Sequence, residues 1–62
     1  GGSVGGRRLN ALRIAAGENR EVRLGLAAVA AWGYIDAAKL APAQRLADRL
    51  GAVLHGLIAK LA

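Results

Sequence analysis

Residues 42–62 read PAQRLADRLGAVLHGLIAKLA, and on a helix advancing about 100° per residue Leu46, Leu50, Val53, Leu54, Leu57, Ile58 and Leu61 fall on one stripe about 140° wide. A stripe of that width is the buried face of a surface helix, so it demands a partner. Pro42 suits the first helical position and disfavours helix at Ala41, which places the start of this helix. The reverse side carries Arg45, Asp48, Arg49, His55 and Lys60, with the small residues Ala52, Gly56 and Ala59 among them. The stripe is expected to supply the chain's own core. The small-residue back, Ala52, Gly56 and Ala59, is a candidate helix–helix interface between subunits, because a glycine inside a helix costs up to about 1 kcal/mol against alanine and close approach would explain it.

Towards the N-terminus, Asp36 can cap a short turn over 37–40, and Gly33 can end the helix before it. That preceding helix, about 20–33, starts from Asn19 as N-cap with Glu21 in the first turn. Leu24, Ala28, Ala31, Trp32 and Ile35 lie on one side of it, and Val22, Leu26 and Val29 on the other. A helix apolar nearly all round is buried on several sides or meets lipid. The apolar run Leu24–Ile35 falls short of the roughly 20 residues needed to cross a bilayer, so a central core helix is expected. A first helix over 7–16 ends at Gly17, with Leu9, Leu12 and Ala16 inward. GGSVGG, residues 1–6, reads as a flexible tail or linker, followed by a single helical domain over 7–62. It is not a phosphate loop, since neither the preceding strand nor the following GK[ST] is present.

The predicted fold is therefore all-α, a small bundle of three to four helices over about 7–16, 20–33, 36–40 and 42–61. Whether 20–40 is one kinked helix or two pieces stays open. Composition agrees: of 62 residues fifteen are Ala and ten are Leu, and Thr, Cys, Phe and Met are absent. A chain this short buries only about 60% of the surface its unfolded form exposes, and without cysteine no disulfide can assist. No internal repeat and no sustained heptad is visible.

Catalysis has little to work with. One histidine, one serine and no cysteine cannot assemble a nucleophile with its base, and one histidine with four scattered carboxylates cannot form a metal's first shell. Glu18 and Glu21 sit among Arg20 and Arg23 and read as helix-start charges and ion pairs. A non-enzymatic protein without cofactor, metal or small-molecule substrate is expected. His55 reads as a boundary residue in preference to a pH switch.

The formal net charge is +5, and seven of the nine cations are arginine. Arg7, Arg8 and Arg13 form one cluster, Arg20 and Arg23 a second, and Arg45, Arg49 and Lys60 flank the last helix. If folding brought them to one face they would contact the phosphates of nucleic acid. Trp32 and Tyr34, the only aromatic residues, are candidates for the core or for a membrane interface.

In length, Ala/Gly/Leu/Val richness, positive charge and lack of cysteine and of an initiator methionine, the chain resembles circular or leaderless bacteriocins. That resemblance implies a compact helical bundle that permeabilises anionic membranes, a secreted location, and a possible ring joining Gly1 to Ala62. Three readings follow: a self-associating basic helical module that binds nucleic acid through arginines, with a cytoplasmic location; a cationic membrane-active peptide; and a protein–protein docking or assembly domain that presents exposed apolar surface.

Overall fold

The computed structural model describes residues 3–62. They form two long helices, α1 (Ser3–Trp32) and α2 (Ala37–Leu61), folded back on each other as an antiparallel hairpin. The all-α expectation holds, but the helices number two and not three or four. The rod measures 50 × 14 × 11 Å with a radius of gyration of 14.5 Å, against about 11 Å for a compact domain of this length. The compact bundle implied by the resemblance to bacteriocins is thus absent.

The helices expected over 7–16 and 20–33 are one. Gly17 does not terminate, because among the described residues only Gly33 adopts a positive φ. A helix can carry Gly17 at a cost of about 1 kcal/mol when strong helix formers surround it and a long neighbour packs along it. Asn19 is consequently no N-cap but the most buried polar residue among those described. Of the expected linker, residues 1 and 2 lie outside the described residues, and Ser3 to Gly6 belong to α1.

The turn is built as the sequence indicates. Gly33, at φ +73°, donates its N–H to the Ala30 carbonyl, and Tyr34 donates to the Val29 carbonyl. This pair of bonds is the Schellman arrangement, which satisfies two of the carbonyls a helix end leaves free. Alanine at φ +73° would bring its Cβ against the following carbonyl, so Gly33→Ala is expected to cost about 1–2 kcal/mol. The loss should appear as a lower thermal midpoint in circular dichroism. Asp36 then caps α2, its carboxylate accepting from the Ala38 N–H at 3.0 Å.

From that cap the helix runs through Pro42 without a break, so 36–40 and 42–61 are also one element. Proline in the second turn removes a single backbone bond, the one to the Ala38 carbonyl, and Ala38 is exposed to water. The Asp36 cap and the burial of Leu40 outweigh that loss.

The two helices meet along a narrow seam. Exposure drops at Leu9, Leu12, Ala16, Asn19, Arg23, Leu26 and Ala30 of α1, and at Leu40, Gln44, Ala47, Gly51, Leu54 and Ile58 of α2. Steps of three and four alternate in both sets, the spacing of helices packed as in a coiled coil. No heptad is visible in the sequence because Asn19, Arg23, Gln44 and Gly51 occupy positions that hydrophobicity would mark.

The leucine stripe of α2 does not lie on this seam. Only Leu54 is buried and Ile58 half-buried, while Leu46 is 67% exposed and Leu50 is 50% exposed. A single neighbouring helix covers one line of contact, so a stripe about 140° wide is more than α1 can cover. Nor is α1 a central core helix: Val22, Leu24 and Trp32 are exposed, and Trp32 at 72% fills no core. Leu40, Ala47 and Leu54 are the only buried apolar residues among those described, and none is completely enclosed.

Candidate interaction surfaces

The seam is polar at its middle. Asn19 donates its side-chain amide to the Ala47 carbonyl at 2.9 Å, across 28 residues of sequence. That carbonyl is reachable because Gly51, one turn further on, has no side chain to cover it. Side chains lean towards the helix N-terminus, so a residue at 51 would stand over the carbonyl of 47. A Cβ built on Gly51 would lie 2.8 Å from Asn19 Oδ1 and 3.4 Å from the guanidinium carbon of Arg23. Gly51 therefore admits two α1 side chains into the seam at once. Both bury a polar atom that finds no partner among the described residues, Oδ1 of Asn19 and Nε of Arg23.

The two flanks of the seam differ in chemistry. On one flank lies a shallow groove of about 680 Å³, lined by Ala15, Val22 and Leu26 of α1 and by Ala43, Leu46, Leu50 and Leu54 of α2. Glu18 is its one charged lining residue. Nothing in the hairpin covers this groove, and Val22, Leu46 and Leu50 are each at least half exposed within it.

The opposite flank carries two clefts that meet at Arg23. One, of about 160 Å³, is lined by Arg13, Ala16, Gly17, Arg20, Arg23, His55 and Ile58, with no carboxylate. The other, of about 440 Å³, is lined by Arg23, Ala27, Ala41, Gln44, Arg45 and Asp48. Of the arginines singled out in the sequence, folding thus gathers Arg13, Arg20, Arg23 and Arg45 on one flank. Arg7, Arg8, Arg49 and Lys60 are exposed and line neither cleft. The expected grouping of Arg45, Arg49 and Lys60 along α2 gives way to one made across the seam with α1.

Ala52, Gly56 and Ala59 are all exposed and lie off the seam. Within the chain the close helix approach occurs at Gly51. A glycine inside a strong helix signals such an approach, whereas nothing in the sequence ties Asn19 to Ala47, twenty-eight residues on. His55, read from sequence as a boundary residue, joins the arginines in the smaller cleft.

Trp32 and Tyr34 stack edge to face at the tip of the hairpin, with ring centroids 5.9 Å apart and planes at 74°. Both are more than 70% exposed. Neither helix is long and apolar enough to cross a membrane. No group of three or more potential metal ligands occurs among the described residues. Compared with protein-family models, with curated proteins and with solved structures, the chain matches none.

Proposed function

We propose that the protein is a non-enzymatic helical interaction module whose hairpin is half of a functional unit. The apolar groove docks on the same groove of a second copy to form a four-helix bundle. The surface area carries this reading. The hairpin exposes 4743 Å², whereas a compact monomer of 6.3 kDa exposes about 3,700 Å². The excess of about 1,000 Å² matches the ~800 Å² that each partner buries in an ordinary specific interface.

An isologous dimer suits the chemistry. One groove contains the residues the contact needs, so two copies related by a two-fold axis present identical leucines to each other. It would also cover Leu46 and Leu50, the part of the leucine stripe that lines the groove and that α1 leaves bare, and enlarge the core that the chain's length keeps small. Glu18, at the groove edge, falls where a polar rim is expected.

Light scattering coupled to size exclusion tests the proposal. A mass twice that of the chain at micromolar concentration is expected, with a thermal midpoint that rises with protein concentration. A monodisperse monomer with a concentration-independent midpoint would overturn it. The membrane-active reading predicts instead the release of dye trapped in anionic vesicles.

A further inference from the structure

The flank opposite the apolar groove gathers Arg13, Arg20, Arg23 and Arg45, and its geometry does not depend on self-association. Arg13, Arg20 and Arg23 project from one side of α1, spaced by seven and then three residues, so that they repeat along about 15 Å of helix axis. With His55 of α2 they line the smaller cleft, together with the small residues Ala16 and Gly17.

Arg23 differs from a solvated surface arginine. It is half-buried, occupies a seam position, and its guanidinium lies over Gly51. Its Nε is buried with no acceptor among the described residues. A guanidinium held by packing has already lost most of the side-chain freedom that binding would otherwise take from it. Beside Arg13 and Arg20, and with no carboxylate lining the smaller cleft, it leaves there a cation excess that an external anion would neutralise.

We infer that the Arg13–Arg20–Arg23–His55 cleft is a phosphate site, and that its ligand is the backbone of a nucleic acid. The rod form favours a polymer. The second cleft continues from the first through Arg23 to Arg45, so consecutive phosphates of one strand can be followed along the hairpin. Asp48 in that second cleft limits the cation excess there and makes the first cleft the anchor. No aromatic residue lines either cleft, so the contact is with phosphates and not with stacked bases. A lipid headgroup fits less well: the apolar groove that would enter a bilayer opens on the other flank and shares no lining residue with the smaller cleft.

The test is fluorescence anisotropy of the full chain with a labelled single-stranded oligonucleotide and a labelled duplex, between about 50 and 200 mM salt. Four arginines per protomer, Arg13, Arg20, Arg23 and Arg45, predict a slope of log affinity against log salt of about −3.6 on duplex, a loss of about 150-fold over that range. The double variant Arg13→Gln/Arg20→Gln should lower the slope to about −1.8 and the low-salt affinity at least tenfold. The double variant Arg7→Gln/Arg8→Gln removes the same charge outside the cleft and should change the slope by less than one. Equal losses in the two variants would overturn the site in favour of net charge alone. No binding at low salt would overturn it outright, and arginine-dependent binding to phosphatidylglycerol vesicles without oligonucleotide binding would overturn the nucleic-acid ligand. Light scattering on both variants keeps this outcome separate from self-association, since neither touches the apolar groove.

Discussion

Replacing Leu46 and Leu50 together by glutamate should convert the proposed dimer into a monomer of half the mass, with much of its helical signal lost. Within the hairpin alone the same change ought to do little. Leu46 is 67% exposed and Leu50 is 50% exposed, and substitutions at such positions ordinarily alter stability by no more than about 0.5 kcal/mol. In the proposed four-helix bundle the same leucines are covered four times per dimer, each worth about 1.5–3 kcal/mol when fully buried. Unpaired carboxylates facing one another add to the loss. Even partial burial then gives a dissociation constant raised by about 10³ or more, the equivalent of about 4 kcal/mol. The size of the effect therefore reports the partner. Leu54→Ala would not discriminate, because Leu54 is buried inside the hairpin itself and its truncation is costly in either state.

The same contrast marks what could be read in the sequence. That α2 has a face requiring burial is evident from Leu46, Leu50, Leu54, Leu57 and Leu61. What covers it is not, since hydrophobicity says that a surface leaves water and is silent on which surface receives it. The expected bundle of three to four helices rests on Gly17 and Pro42 as helix boundaries, signals that long-range packing along the hairpin overrides. The turn was legible because its signals are local: Gly33 supplies a left-handed residue, and Asp36 supplies a cap acceptor. The seam was not. Its middle is made by Asn19, Arg23, Ala47 and Gly51, residues that reading by apolar periodicity assigns to caps, solvent or chance.

Position decides the sign of an identical substitution at two glycines of α2. Gly51→Ala is expected to destabilise the protein and Gly56→Ala to stabilise it. Both changes gain up to about 1 kcal/mol of helix propensity, since both sit inside a helix. At Gly56 a new Cβ meets nothing within 4 Å, so that gain is retained. At Gly51 the Cβ would stand 2.8 Å from Asn19 Oδ1, a distance real contacts do not show. Asn19 is only 6% exposed and tied to the Ala47 carbonyl, so it cannot swing aside without giving up that bond. Leaving the buried amide unpaired costs about 1–3 kcal/mol, and displacing the Arg23 guanidinium adds to it. A net loss of about 1–2 kcal/mol at Gly51 against a gain of up to about 1 kcal/mol at Gly56 separates the two variants by some 4–24 °C in thermal midpoint, at about 4–8 °C per kcal/mol for a domain of this size. Equal midpoints would mean that the helices do not approach at Gly51. The companion variant Asn19→Ala relieves the collision, so Gly51→Ala should cost less in that background than alone. Such coupling is expected only where the two residues touch, and it locates the register of the hairpin at the place where, among the described residues, its helices exchange a side-chain hydrogen bond.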